Sequence, residues 1–498
     1  MSRKGFTMKK LICLVLCVVL LGCMLVSCKD DEIGADLDRL KDKVPNKVVE
    51  ELELDFYIIV GEGTTENAKK TVTLMINQYL EKFNTKLDIH YLTTAEYQSV
   101  VMNDITLDGD DRADILLITS KEMFDELYSN RLIANLTDFY HPTASVYRSL
   151  NTQIAPALLS AVTVREVAYA DNGSEYIAQN KYCVPNNRVV GSYDIFLMNI
   201  EAAEYYNISP DAFNTLSAEE AAERIYAKID ADPTYSREES VIYTSGNYEE
   251  LQAYLTGGEY FVKYTAPTVS LEEAYESVFA IARHDKDVRH TQGWKDTTLQ
   301  ADIDEYTAYY NRCMEILYEL NTSEELRNLL LYGKVNTNYK LDKQTGIVTH
   351  NNIADSDVYV MDIEHTGDVF KAYYCESDGY YGWTKAEAQN GEIQNKEAVF
   401  SPADRVEIEK GMLSFGVEEY VESAKTVNLQ TAGKYYSEVA VNWTVNGEEI
   451  SGGKLVINQS AEETVLTIVA TIVCTEGTAT AIDTVTYTVT VAALGAEA

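Results

Sequence analysis

Basic residues and proline are scarce in this chain of 498 residues, and each scarcity excludes a class of protein. Only 41 Lys and Arg stand against 79 Asp and Glu, which gives a formal net charge of −38. Such a chain repels nucleic acid, because phosphate binding depends on Lys and Arg that displace counterions. With 8 Pro and 46% hydrophobic residues, the chain also lacks the composition of a disordered protein. Its length predicts a globular protein of about three domains.

Cysteine and histidine are too scattered to predict a disulfide framework or a zinc site. Four of the eight Cys lie within the first 28 residues, and no two Cys have CxxC spacing. His284 and His290 are six residues apart, which is not a zinc-ligand pattern. The other four Cys are far apart in sequence: Cys183, Cys313, Cys375 and Cys474.

Motifs for catalysis and for cofactors are missing as well. The chain has no GxSxG, GxxxxGK[ST] or HExxH, and residues 61–63 lack the third Gly of a dinucleotide fingerprint. Residues 108–119 carry acids like a calcium loop, but Ala113 stands where that loop needs Gly and Thr119 where it needs Glu. We therefore predict no catalytic residue, no metal and no cofactor. A carboxylate pair for glycoside hydrolysis stays open, since no pair stands out among so many acids.

The N-terminus predicts an exported and anchored protein. Basic residues precede an apolar run over residues 11–26, which is shorter than the roughly 20 residues of a membrane-spanning helix. The run ends in Leu25-Val26-Ser27-Cys28, which resembles a bacterial lipobox. We predict a signal peptide over 1–27, a diacylglyceryl anchor on Cys28 and a linker over 28–50. Cys23, which ends a second similar tetrapeptide, and an uncleaved anchor are the alternatives.

This prediction locates the mature protein outside the cytoplasmic membrane. Two acyl chains on one Cys give a stable attachment that one chain cannot give. Removal of residues 1–27 takes away four positive charges and no negative one, so the net charge changes from −38 to −42. We therefore expect an acidic extracytoplasmic body that is lipid-anchored to the cell membrane.

The mature chain changes its pattern along its length. Strand patterns over 54–60, 86–92 and 113–119 alternate with helical patterns over 64–83 and 94–103, which predicts an α/β fold with a parallel sheet. Residues 357–361 and 369–374 are predicted as strands. Within the helix-rich residues 200–332, Ser or Thr is followed three positions later by Glu at three predicted helix starts: Ser217 with Glu220, Ser270 with Glu273 and Thr322 with Glu325.

Two resemblances follow from these stretches. Residues 56–63, 112–121, 182–188 and 243–248, in this order, resemble the extracellular solute-binding proteins of ABC importers, in particular the carbohydrate-binding family 1 proteins. Ala113 departs from the Pro that this family often has there. The resemblance implies a two-lobed periplasmic-binding-protein-like fold (type II) over 51–425, with a hinge and a solute held between the lobes.

The tail over 426–498 alternates Val, Ile and Thr between Gly-containing turns, which predicts a small all-β sandwich. It resembles the atrophied bacterial Ig-like domain, and Trp443 is then its core tryptophan. Modules of that kind are usually spacers or surface-interaction units.

Seven residues are predicted to bind the solute. Glu62 and Ser120 follow the first and third strands, where ligands of doubly wound folds bind. Asn186, Asn187 and Arg188 supply amides and a guanidinium that suit sugar hydroxyls or a carboxylate. The alternatives are a solvated loop carboxylate for Glu62 and ordinary turn chemistry for residues 186–188.

Trp294 and Trp383 complete this set. Both lie among Gly and polar residues and are predicted to stack on the apolar faces of sugar rings. Packing of each indole inside the protein is the alternative.

The leading hypothesis is a lipid-anchored binding component of an ABC importer that delivers a sugar or oligosaccharide to permease subunits. A surface adhesion or scaffold lipoprotein that has lost transport is the alternative. A cell-wall hydrolase is a third hypothesis.

Overall fold

A computed structural model describes residues 51–107, 112–143, 145–170, 173–188, 190–287, 300–350, 353–375 and 399–494. The predicted signal peptide 1–27 and linker 28–50, with Cys23 and Cys28, lie outside the described residues. Within the described ranges, none of the helices combines the length and the apolar character that a bilayer-spanning segment needs.

The chain divides into two compact units, each built from separate stretches. Unit 1 consists of the described parts of Met1–Ala134, Asp138–Gln153 and Ser277–Lys385. Unit 2 consists of the described parts of Asn135–Thr137, Ile154–Glu276 and Ala386–Ala498.

Unit 1 begins with alternating strands and helices. The elements are β1 (Leu52–Ile59), α1 (Glu66–Leu80), β2 (Thr85–Leu92), α2 (Thr94–Asp104), β3 (Ile115–Ile118), α3 (Lys121–Ser129) and α4 (Leu150–Gln153). β1 pairs in parallel with β2 along its whole length, and with β3. The predicted parallel sheet is therefore confirmed.

Hydrophobic spacing explains the first of these helices. α1 buries Val72, Ile76 and Leu80, which recur every four residues on one face. The hydroxyl of Thr65 caps α1 by accepting a hydrogen bond from the Ala68 amide at 3.3 Å. β3 is buried at all four positions, as expected for an inner strand of a sheet that is covered on both faces.

The long central stretch of unit 2 begins at Ile154. Its elements up to residue 276 are α5 (Pro156–Ala161), β4 (Thr163–Tyr169), β5 (Glu175–Lys181), β6 (Cys183–Pro185), β7 (Tyr193–Asn199), α6 (Ile200–Tyr205), α7 (Pro210–Thr215), α8 (Ala218–Ala231), α9 (Arg237–Ser240), β8 (Val241–Gly246), α10 (Tyr248–Gly257), β9 (Tyr260–Tyr264) and α11 (Leu271–Tyr275). β7 is the central strand of an antiparallel sheet with the order β8-β7-β9. The predicted capping box of Ser217 and Glu220 opens α8, and Ser270 caps α11.

The chain then returns to unit 1. The elements are β10 (Val278–Ile281), α12 (Gln300–Thr322), α13 (Glu324–Tyr332), β11 (Lys340–Leu341) and β12 (Val348–Thr349). β10 pairs antiparallel with β3, so the strands of unit 1 follow the order β2-β1-β3-β10.

The helix start predicted at Thr322 is wrong. Thr322 is the last residue of α12, and its hydroxyl donates to the Tyr318 carbonyl at 2.9 Å. Ser323 is the cap of α13 and accepts from the Leu326 amide at 3.3 Å. In the sequence, Thr322 and Ser323 both suit a helix cap. Because α12 extends through Thr322, Ser323 becomes the cap of α13.

The strands predicted over 357–361 and 369–374 are absent from these described segments, which contain short 3₁₀ turns at Asp355–Asp357 and Val369–Lys371. Carbonyls of the first segment accept hydrogen bonds from the loop after β1 rather than from a strand. The Thr65 amide donates to Val358 at 2.9 Å, and the Gly61 amide donates to Val360 at 2.8 Å.

The last described stretch, residues 399–494, forms a helix and two sheets and is called the β module below. Its elements are α14 (Pro402–Gly411), β13 (Tyr420–Val421), β14 (Lys425–Asn428), β15 (Val439–Val445), β16 (Glu448–Glu449), β17 (Lys454–Ile457), β18 (Thr464–Glu476) and β19 (Ala479–Val491). One sheet has the order β13-β19-β18-β15-β16, and the other pairs β14 with β17. The predicted mixed α/β class with a C-terminal β region is confirmed.

Trp443 lies in the core of the β module, as predicted. Its side chain is 2% exposed, and its indole N–H donates to the Gln430 carbonyl at 2.6 Å. The Phe415 ring lies 6.0 Å from the indole between centroids. Val406 of α14 and Phe415, which follows this helix, also belong to the core. Both residues precede the predicted boundary at 425.

We predict that Trp443→Ala destabilises the β module by about 3–5 kcal/mol, because it removes the largest buried side chain of this core. Hydrogen exchange followed by mass spectrometry should show faster exchange of the β15 and β18 amides. Val465→Ala is the matched control, since Val465 is 57% exposed on β18. Equal exchange in the two variants would contradict a core role for Trp443.

Candidate functional site

Glu62 and Ser120, the two residues predicted from unit 1, follow parallel neighbouring strands. Glu62 is exposed in the loop after β1, and Ser120 directly precedes α3. Because β1 and β3 are parallel, the two residues follow strands that end at the same edge of the sheet. The Ser120 hydroxyl already caps α3 by accepting from the Met123 amide at 3.1 Å.

Residues 186–188 are buried within unit 2. Asn186, Asn187 and Arg188 are each at most 4% exposed. The Asn187 side-chain oxygen accepts from the Ala155 amide at 2.9 Å, just before α5. The Arg188 guanidinium donates to the Glu273 carbonyl on α11. In this conformation the segment joins two helices of unit 2, and a ligand role for it stays a prediction.

Trp294 and Trp383 lie outside the described residues. Their predicted stacking on sugar rings therefore stays a prediction.

Unit 2 contains an open groove on one face of the sheet β8-β7-β9. The groove has a volume of about 940 Å³, which is in the usual range for small-molecule sites. The strand register places Phe196 of β7 between Tyr243 of β8 and Lys263 of β9. The other wall consists of the end of α7, with Asn214, and the segment that joins α7 to α8, with Ser217. The groove is thus formed by the paired strands on one side and by the end of α7 with its connection to α8 on the other.

The floor of this groove is aromatic. Tyr243 is 57% exposed, and its ring centroid lies 5.0 Å from that of Phe196, which anchors it against the sheet. Phe196 in turn stacks on Phe213 of α7 at 5.9 Å and an interplanar angle of 16°. Partial burial raises the pKa of the Tyr243 hydroxyl. A Tyr hydroxyl is protonated at neutral pH even at its ordinary pKa, so this group can donate a hydrogen bond. An exposed ring supported from beneath is a flat apolar surface with one polar end.

Polar groups surround this aromatic floor. Asp194 and Ser245 are paired across β7 and β8 and line the groove, and Glu219 of α8 lines it from the other wall. The Lys263 ammonium lies 4.8 Å from the centre of the Phe213 ring. Carboxylates accept hydrogen bonds and hydroxyls both accept and donate them, so the rim can bind a ligand rich in hydroxyl groups. Two carboxylates beside one ammonium also disfavour an anionic ligand.

Sequence reasoning missed Tyr243 as a site residue. In the sequence, its segment 243–248 indicates only a family resemblance. A Tyr in a strand is usually half-buried core, and the exposure of this one depends on the distant residues that face it.

One group of possible metal ligands occurs in the described part of the chain. It consists of Asp55, Asp88 and His90 in unit 1, and their ligand atoms lie within 4.8 Å of one another. Asp55 and Asp88 of this group line a second cavity, of about 700 Å³, together with Arg112 and Asp114.

Comparison with known proteins gave matches among solved structures only: no protein-family model and no curated protein matches. The chain is similar to the N-glycan transport solute-binding protein NgtS of Streptococcus pneumoniae in complex with Man5GlcNAc, at 18% identity over 72% of this chain and 87% of that one, with a TM-score of 0.39. It is also similar to a chitin oligosaccharide binding protein, at 11% identity over 54% and 78% with a TM-score of 0.21. A third similarity is to the bacterial solute receptor AcbH, described as preferring galactopyranose, at 8% identity over 55% and 80% with a TM-score of 0.24.

Proposed function

We propose that the protein is the lipid-anchored binding component of an ABC importer and that it captures a carbohydrate. The exposed Tyr243 ring in the groove of unit 2 is the observation that carries the carbohydrate part. Sugars present apolar C–H faces that stack on aromatic rings, and hydroxyl edges that bond to carboxylates and hydroxyls. The lipobox at Cys28 supports the anchor.

The groove favours a neutral sugar over a peptide or an anion. Its floor offers aromatic rings rather than a strand edge for backbone pairing, and β7 is bonded to neighbours on both sides. Asp194 and Glu219 add negative charge at the rim. Glu62, Ser120, residues 186–188, Trp294 and Trp383 remain proposed ligand residues beside Tyr243.

A second candidate function rests on the outer face of the β module. Val465 and Ile482 are 57% and 62% exposed on β18 and β19, whereas the alternate residues Ile468 and Ile472 are fully buried. An exposed β-branched surface suits contact with another surface molecule. A photo-crosslinker at position 465 that recovers a cell-surface protein or polymer, and no permease, would favour an adhesion or scaffold lipoprotein.

We predict that Tyr243→Ala raises the Kd for a bound oligosaccharide about tenfold, the effect of losing roughly 1.4 kcal/mol of ring contact. Titration calorimetry against a panel of neutral sugars and peptides should first identify the ligand and then measure this loss. Tyr243→Phe should retain most of the affinity, because it keeps the ring.

Tyr169→Ala is the matched control for this experiment. Tyr169 is 64% exposed on β4 in the same unit and does not line the groove. An equal loss of affinity in Tyr169→Ala and Tyr243→Ala, or binding of no sugar by the unsubstituted protein, would contradict the proposed site.

We predict that Cys28→Ala releases the protein from membranes into the soluble extracytoplasmic fraction, because the acyl chains are attached through that thiol. Fractionation followed by immunoblotting measures the release, and Cys23→Ala is the control that should stay membrane-bound. Release by Cys23→Ala alone would move the anchor to Cys23, and retention of both variants would support an uncleaved anchor.

A further inference from the structure

Asp55, Asp88 and His90 lie together about halfway along the paired strands β1 and β2, away from the carboxyl ends of these strands. Asp55 and Asp88 are directly paired across β1 and β2. His90 follows Asp88 by two residues and therefore lies on the same face. β1 ends four residues after Asp55, a distance of about 13 Å along the strand. The group is thus separate from Glu62 and Ser120.

The surroundings of the group fix the positions of its ligand atoms. His90 Nε2 lies 2.7 Å from Asp55 Oδ1. The His90 ring stacks on Tyr57 at 4.2 Å between centroids and an interplanar angle of 7°. The amide of Asp55 donates to Asp114 Oδ2 at 2.9 Å, which holds β1 against the start of β3. Orientation by neighbours of this kind is what gives a metal site its affinity.

The charges of the group are poorly compensated by the protein. Directly opposed like charges on paired strands are unfavourable, and Asp55 faces Asp88 in this way. The ligand atoms of the three side chains therefore surround a position where a cation would be stabilised.

The basic side chains that line the adjoining cavity are bonded elsewhere. The Arg112 guanidinium donates to Asp285 and to the Arg283 carbonyl. The Lys286 ammonium donates to Glu305 at 2.6 Å. Neither of these cations is bonded to Asp55 or Asp88, whereas His90 lies within hydrogen-bonding distance of Asp55.

We propose that Asp55, Asp88 and His90 bind a divalent transition-metal ion, with Zn²⁺ as the probe ion. One imidazole nitrogen with two carboxylates suits Zn²⁺, whereas Mg²⁺ and Ca²⁺ prefer oxygen ligands alone. The ion takes the place of the hydrogen between His90 Nε2 and Asp55 Oδ1. A neutral His90 binds it through Nε2 and carries its own proton on Nδ1, and a protonated His90 releases one proton to solvent. The cavity of about 700 Å³ leaves room for water as a fourth ligand.

The test is calorimetric titration of the full chain with ZnCl₂ after EDTA treatment and dialysis. We expect one saturable Zn²⁺ per chain, and an affinity at least about tenfold lower in Asp88→Asn and in His90→Gln. CaCl₂ should bind more weakly than ZnCl₂. X-ray absorption at the zinc edge should show nitrogen and oxygen neighbours without sulfur, because the three proposed ligands supply one imidazole and two carboxylates.

Asp138→Asn and His141→Gln are matched controls, since both residues are exposed in unit 1 away from the group. They remove the same charges and should leave zinc affinity unchanged. Three outcomes would overturn the proposal: no saturable site, an equal loss in control and group variants, or a sulfur-ligated spectrum. Circular dichroism confirms that each variant is folded. The titration contains no sugar, so its result is independent of the proposed carbohydrate function.

Discussion

The parallel register of β1 with β2 is the constraint on which the polar features of unit 1 depend. Eight consecutive pairs, from Leu52 with Thr85 to Ile59 with Leu92, align the two strands so that they end together. The register is fixed by burial, because Leu54, Phe56 and Leu87 face the core while Asp55 and Asp88 face away from it. A slip of one residue would turn Asp88 into the core, which is prohibitively unfavourable. The same burial that holds the sheet together therefore brings two carboxylates and His90 onto one face.

In unit 2, strand register also brings side chains from distant parts of the sequence together, and here the side chains are aromatic. β7 is apolar at successive positions and is covered on one face by helices, which bury Met198 and Phe213. Phe196 is nevertheless opposite Tyr243, so the aromatic pair extends from the core to the surface. Cross-strand aromatic pairs stabilise a sheet, and here the outer ring of the pair is left for a ligand. Fold stability and a binding surface thus come from the same contact.

The sequence predicted the periodic parts of the structure well, and it predicted the side-chain environments poorly. The β1-α1-β2-α2-β3 series and the Ser217 capping box follow from local spacing, which the structure preserves. The burial of Trp443 follows from the family resemblance of the tail. The strand predicted over 357–361 is absent because its carbonyls accept hydrogen bonds from the loop after β1. Over 369–374, the carbonyls accept instead from side chains of α13 and from the Val348 amide of β12. Asp55 and His90 lie 35 residues apart, and only the pairing of β1 with β2 brings them within 2.7 Å. Such pairings are set by tertiary structure, and no local spacing encodes them.

The buried segment 186–188 shows why residue type alone is a poor guide to a ligand site. Asn and Arg can recognise a sugar, but they can equally satisfy the backbone groups at helix ends, and a buried polar group must be satisfied. Asn187 and Arg188 both do so here, at Ala155 and at Glu273. Withdrawing Asn187 to bind a ligand would leave the Ala155 amide without this bond, at a cost of about 1–3 kcal/mol, and withdrawing Arg188 would break its bond to the Glu273 carbonyl. An exposed side chain such as Tyr243 carries no such cost. Groups whose bonding capacity still faces solvent are therefore the ones that a ligand can recruit without first disrupting the fold.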